Sequence, residues 1–219
     1  MNLLTSIRDL CMDFLFPQSP KILELQALST SELAKILPPA DMQKEKETLA
    51  VFDYSHPLVK EMIWELKYKG NTKIADKLGE ILYDHIQQEL VDLSLFENWS
   101  KPLLIPVPIS DKRRFERGWN QSELLAQKIM DYDRNKMFVY LPRQLIKYRH
   151  TESQTKTSSR KERLENITNS MKVLNTSKMA GECVVVVDDV TTTGSTFAEA
   201  RRALFTAGAR KILCVAVAH

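Results

Sequence analysis

Hydrophobic positions along this chain fall into two rhythms. In residues 1–16, Leu3, Leu4, Ile7, Leu10, Cys11, Phe14 and Leu15 recur every three or four positions, which predicts an amphipathic helix ended by Pro17 and Pro20. A second short helical stretch falls within 21–47, followed by Pro38-Pro39 and the charged segment DMQKEKE, whose composition marks a linker. The boundary falls near residue 48, with 1–48 a helical appendage and 49–219 the main domain. LAVFDY (49–54) predicts a strand, and Leu58, Met62, Ile63 and Leu66 form one face of a helix ending at Gly70. A longer amphipathic helix is expected between Lys73 and Glu89. PLLIPVP (102–108) predicts a short buried strand closed by prolines, and MFVYL (137–141) another. Between them, Asn120 and Glu123 have capping-box spacing ahead of a helix. Residues 143–170 are polar and basic with few apolar anchors, which predicts a loop.

The C-terminal segment changes rhythm. Cys183 to Val187 is a continuous apolar run, Phe197, Ala200, Leu204 and Phe205 line one side of a helix, and Ile212 to Ala218 is a second apolar run. Gly208 suits the position after the helix. Strand, helix and strand in this order make a βαβ unit, and apolar runs without strict alternation match strands covered on both faces. The fold class is α/β.

Composition sharpens this picture by exclusion. The 219 residues include 27% charged and 8% aromatic side chains, a globular rather than disordered balance. No apolar run approaches the roughly 20 residues of a membrane-spanning helix, so no membrane insertion is expected. Arg8, Asp9 and Asp13 interrupt the apolar N-terminus, which argues against a signal peptide and for a cytoplasmic protein. Cys11, Cys183 and Cys214 are far apart, without CxxC spacing, and read as buried hydrophobes. The formal net charge is +3; the basic surplus lies in the main domain.

VVVVDDVTTTGST (184–196) carries the chemistry. Four β-branched residues drive a strand to the edge where open α/β sheets bind ligands, and there Asp188 and Asp189 follow one another. Successive strand side chains point to opposite faces, so one carboxylate can face a ligand while the other supports the loop or a metal's water shell. Thr191, Thr192, Thr193, Gly194, Ser195 and Thr196 then lead into a helix, whose unpaired amides and positive dipole end stabilise a phosphate. The two halves describe a ribose-phosphate site. The magnesium strand of P-loop NTPases is a rival reading, but no GxxxxGK[ST] loop is present. The acidic pocket of receiver domains needs more βα units than remain.

This run resembles the 5-phosphoribosyl-1-pyrophosphate (PRPP) signature of type I phosphoribosyltransferases. LKYKG (66–70), IPVP (105–108) followed by Arg-Gly-Trp-Asn-Gln (117–121), and Thr151, Gln154, Arg163 and Asn166 occur in the order of the ComF family of DNA-uptake proteins. The opening FLFP (14–17) is similar to that family's lead-in, but the CxxC pairs of its small zinc module have no counterpart, so no zinc is expected. The resemblance implies a type I phosphoribosyltransferase-like fold, a mainly parallel sheet flanked by helices with a hood. It further implies PRPP or a related phosphoribosyl ligand, magnesium held through Asp188 and Asp189 or their waters, and single-stranded DNA and a helicase-like motor of the competence machinery as partners.

Basic side chains supply the remaining candidates. Lys112, Arg113, Arg114 and Arg117 follow IPVP, where these enzymes hold pyrophosphate; a solvated basic turn is the plain alternative. Trp119 reads as a packing residue. Residues 143–163 hold seven basic groups against two acidic ones, and Arg149, Gln154, Arg160, Lys161, Arg163 and Asn166 are candidates for a flexible catalytic loop or a nucleic-acid contact. Lys67 and Lys69, either side of Tyr68, share that ambiguity. The function expected is a ComF-type PRPP-binding protein of single-stranded DNA uptake. The alternatives are an active phosphoribosyltransferase acting on a nitrogen nucleophile, and a regulator that keeps the site as a sensor.

Overall fold

The computed structural model describes residues 19–41, 47–95, 98–148 and 169–219. Its strands are β1 (Thr48–Phe52), β2 (Leu103–Pro106), β3 (Val139–Tyr140), β4 (Leu145–Lys147), β5 (Met171–Val173), β6 (Cys183–Val190) and β7 (Lys211–Ala218). Its helices are α1 (Pro20–Ala27), α2 (Thr30–Ile36), α3 (Pro57–Trp64), α4 (Thr72–Ser94), α5 (Asp111–Arg117), α6 (Gln121–Tyr132) and α7 (Ser195–Thr206). A π turn, Glu65–Lys69, continues α3.

Five strands form one sheet in the order β1-β7-β6-β2-β3, every pairing parallel. The valine and isoleucine runs suit strands buried on both faces, and their alternation divides two apolar layers. Val185, Val187, Leu213, Val215 and Val217 face the layer built with α3, α4 and α6. Val184, Val186, Ile212, Cys214 and Ala216 face the layer of α7, where Phe197, Ala200 and Leu204 pack. This is the mainly parallel α/β sheet flanked by helices that the sequence implied. β4 and β5 form a separate antiparallel ribbon outside it.

The described part of the N-terminal segment joins the first layer. Ser19 and Ser29 cap α1 and α2, the latter with Glu32 in a reciprocal capping box. Ile22, Leu25, Leu33 and Leu37 are buried against the same core as Met62, Leu78 and Leu82. The expected helix over 1–16 lies outside the described residues.

Several local expectations need correction. The helix expected to run regularly to Gly70 changes to π geometry at Glu65. Residues 111–117, read within a binding loop, form α5, capped by Ser110 Oγ. The capping box at Asn120 is incomplete: its side chain accepts from the Ser122 amide, but Glu123 turns to Arg114 instead. The loop expected over 143–170 contains strand β4 near its start, and β5 follows immediately after it.

Gly79 marks a close approach of α4 and α6. A Cβ there would lie 2.3 Å from Lys128 Cβ and 3.1 Å from its carbonyl carbon. Gly79→Ala gains about 1 kcal/mol of helix propensity. Overpacking against atoms that cannot swing aside costs about 1–3 kcal/mol and wins. A urea titration is expected to show a net loss of about 1 kcal/mol; an unchanged or raised midpoint contradicts the close packing.

Candidate functional site

The site grows from the C-terminal end of β6. Chain order reverses at this point of the sheet, since β2 leads to β3 on one side and β6 lies on the other. Open α/β sheets present their ligand crevice at such a switch point. Asp188 and Asp189 stand just before the strand's last residue, Val190, and are both buried.

Each carboxylate has its own support. Asp188 Oδ1 accepts a hydrogen bond from Ser122 Oγ at 2.8 Å and another from the Asp189 amide at 2.9 Å. Ser122 sits in the first turn of α6, directly after the motif Arg-Gly-Trp-Asn-Gln, and is fully buried. Lys67 Nζ lies 2.9 Å from Asp189 Oδ2. The two form a close ion pair, and a carboxylate has further lone pairs beyond the one that faces the ammonium.

Burial, then the Asp189 charge, pushes the Asp188 carboxyl up to about 7; the bonds from Ser122 and the Asp189 amide pull the other way. A raised carboxyl disfavours the folded state once ionised. This destabilisation grows as pH rises from the ordinary carboxylate range towards 7. Such strain is expected where a carboxylate is kept for a ligand.

Beyond β6 the chain turns through Thr191, Thr192 and Thr193 to Gly194, which has φ +69° and stands immediately before the first residue of α7. This left-handed conformation favours glycine. Asp188 and Thr191 to Phe197 line a small cup at the start of this 12-residue helix. Thr193 and Ser195 hydroxyls bond each other at 3.0 Å, and Ser195 and Thr196 open the helix. All six loop residues singled out in the sequence are thus brought together beside Asp188.

A second cavity of about 610 Å³ adjoins this end of the sheet, within the range of small-molecule sites. Pro106, Pro108 and Ile109 form one wall, and Arg143, Leu145, Lys147 and Tyr148 of the ribbon the other. Burial, then the Arg113 charge, lowers the Lys147 ammonium, while Asp188 and Glu199 oppose that shift. Glu199 docks the ribbon on α7: its Oε1 accepts from the Met171 amide at 2.9 Å and faces Arg202 at 2.8 Å.

The remaining basic candidates diverge. Arg114 pairs with Glu123 at 2.6 Å, and Arg117 donates to Gln121 and lies 5.1 Å over the Tyr68 ring. Lys112 and Arg113 are exposed on α5. Lys69 turns inward to Glu65 at 2.9 Å, whereas Lys67 reaches the acid pair. Arg149, Gln154, Arg160, Lys161, Arg163 and Asn166 lie outside the described residues. Ser122 escaped the sequence reading, although the helix start at Asn120 placed it on the correct turn.

The acid pair fits a directly held magnesium ion poorly. Magnesium demands near-octahedral oxygen ligation, yet Asp188 Oδ1 already accepts two hydrogen bonds and Asp189 Oδ2 faces an ammonium. Among the described residues, no group of three or more His, Cys, Asp or Glu could hold a metal, and no helix is long and apolar enough to cross a membrane.

Comparison with known proteins agrees with this architecture. The phosphoribosyl transferase domain family model matches residues 106–219. "DNA utilization protein YhgH" of Escherichia coli O6:H1 is 30% identical over 166 residues, covering 75% of this chain and 68% of that protein. Its counterpart in Salmonella typhi is 29% identical over 167 residues, with the same coverage. "Competence protein F" of Haemophilus influenzae is 33% identical over 155 residues, 69% of this chain and 63% of that one. Among solved structures, the allosteric regulatory enzyme of purine biosynthesis aligns at 18% identity and a TM-score of 0.43, covering 71% of this chain and 30% of that one. With the acid pair and its loop in place at the end of a parallel sheet, the chain belongs to the ComF family of phosphoribosyltransferase-domain proteins.

Proposed function

We propose that this crevice binds the phosphoribosyl group of PRPP or a related ligand, and that the protein serves the uptake of single-stranded DNA. One observation carries the ligand reading: only Val190 separates Asp188 and Asp189 from the Thr191–Thr196 turn at the start of α7, and Asp188 lines the same cup as that turn. The turn's amides and hydroxyls suit a 5′-phosphate, and the carboxylates suit ribose hydroxyls as acceptors. Ser122 fixes the orientation of Asp188, so its other oxygen is aimed without entropic loss on binding. The DNA role rests on the family and on relatives named for DNA utilization and competence.

Isothermal titration with PRPP and with ribose 5-phosphate tests the site. The wild type is expected to bind, and the double variant Asp188→Asn with Asp189→Asn to lose affinity by about a hundredfold. Retained affinity in a folded double variant removes the site assignment. For the DNA role, fluorescence anisotropy of a labelled single strand is expected to show binding that weakens steeply with salt; absence of binding at low salt rejects it.

A second reading, an active phosphoribosyltransferase, is favoured by the 610 Å³ cavity beside the crevice, which has room for an acceptor. Attack of a nitrogen on C1′ would expel pyrophosphate, while the fixed carboxylates steady the ribose. Incubating the protein with PRPP and a panel of nucleobases, with pyrophosphate detection, separates the two readings. Release above the hydrolysis background identifies the enzyme.

A further inference from the structure

A lysine reaches the acid pair by an unusual route. Through α3 the backbone is regular, but at Glu65–Lys69 it widens into a π turn. Such a turn carries one extra residue, rotating the succeeding residues by about 100° relative to a continued α-helix. It also disturbs the regular ladder of carbonyls, and other groups hold the turn in place. Trp119 Nε1 donates to the Leu66 carbonyl at 3.0 Å, and the indole packs so closely on Gly70 that a Cβ there would lie 3.0 Å from it. Gly70 takes φ +60°, closing the turn. Buried Glu65 faces Lys69 at 2.9 Å and accepts from Asn71 Nδ2 at 2.9 Å. Lys67 stands between these anchors, with its ammonium on Asp189.

The chemistry of that contact is specific. The two adjacent carboxylates are buried, and the phosphoribosyl ligands of the proposed function are themselves anions. A cation beside Asp189, together with the raised Asp188 carboxyl, lessens this charge so that a ribose phosphate can enter. Lys67 supplies one positive charge 2.9 Å from Asp189 Oδ2. The carboxylate is thus charge-balanced, and its remaining lone pairs can still accept from a hydroxyl. A divalent ion in the same place would consume that capacity and be repelled by the ammonium.

We propose that Lys67 is the resident cation of the acid pair, standing where a metal ion would otherwise be needed, so that ribose phosphates bind here without a divalent ion. This rests on the phosphoribosyl reading of the crevice. Lys67 acts as a positioning residue, through Asp189.

Ribose 5-phosphate is the suitable probe, because it has no pyrophosphate to carry its own metal. By calorimetry, the wild type is expected to bind it in EDTA within about twofold of its affinity in magnesium. Lys67→Met is expected to bind at least about tenfold more weakly in EDTA and to regain affinity with magnesium. Lys67→Arg keeps the charge and is expected to remain tolerant of EDTA, which a purely structural role would not predict. Two results overturn the proposal: a wild type that loses tenfold affinity on metal removal, or a Lys67→Met variant indistinguishable from it in EDTA. Should the wild type bind no ribose phosphate under either condition, the phosphoribosyl reading fails on its own. Manganese paramagnetic resonance on the ligand-free protein then decides the role of Lys67. A manganese site present in Lys67→Met but not in the wild type upholds it, and equal occupancy in both overturns it.

Discussion

Phe197→Ala is expected to lower stability by about 3–5 kcal/mol, out of the roughly 5–15 kcal/mol typical of a domain. Phe197 is the largest fully buried side chain among the described residues and occupies the first turn of α7. Its ring packs in the layer of Val184, Val186, Ala200 and Leu204, and also lines the cup formed by the Thr191–Thr196 turn. Truncation removes apolar burial and leaves a cavity beneath the proposed phosphate loop, so both terms of the cost apply. In urea the midpoint should fall with little change in slope. The loop is expected to lose its shape as well, weakening ribose 5-phosphate binding in the fraction that remains folded. Phe205→Ala, on the same helix but 47% exposed, provides the contrast and should stay within about 0.5 kcal/mol of wild type. Equal effects at the two positions would contradict the described core.

The β6–α7–β7 unit was legible because its signals are local. A four-valine run, a glycine at the start of a helix and another beyond its end need no knowledge of distant residues. Strand β2 and the long helix α4 were legible for the same reason. The failures come where partners far along the chain decide. An apolar face continuing to Leu66 predicts a regular helix, and nothing local reveals the π turn that Trp119 supports from outside. α5 has no buried residue, so it lacks the periodicity that would have marked it as a helix. Glu123 has the right spacing for a capping box, but Arg114 competes for its carboxylate. Strands β4 and β5 have three residues each and carry their weak pattern inside a polar stretch.

The basic residues show the same limit at the site. In sequence Lys67 and Lys69 are two members of one cluster. In the fold they have opposite duties, one on Asp189 and the other on Glu65. Charge can be counted along a chain, whereas its partner is a property of the packing. The family motifs make sense only at that level. LKYKG and Arg-Gly-Trp-Asn-Gln meet through Gly70, Leu66 and Trp119, and between them they deliver Lys67 to Asp189 and Ser122 to Asp188.

Glu65→Ala should therefore cost far more than an ordinary helix-surface change, about 3–5 kcal/mol, because it breaks a buried pair from one side. Glu65 is 2% exposed and faces Lys69 with one oxygen and Asn71 with the other. Asn71 Oδ1 in turn accepts from the Ile74 amide at the start of α4 and from Gln26 Nε2 at the end of α1. One carboxylate thus ties together α1, the π turn and α4. Lys69→Met alone leaves Glu65 with an unbalanced charge and should be destabilising too. Glu65→Met with Lys69→Met replaces both charges by apolar groups and should regain much of the loss, since a buried ion pair barely exceeds its own desolvation cost. A coupling of about 1 kcal/mol or more in this cycle is expected from urea titrations; strict additivity would mean that the pair does not act as a unit. The double variant also separates fold from site. If the pair serves to hold the π turn in register, the restored protein stays stable but no longer fixes Lys67 against Asp189. Its ribose 5-phosphate binding should then depend on magnesium as that of Lys67→Met does.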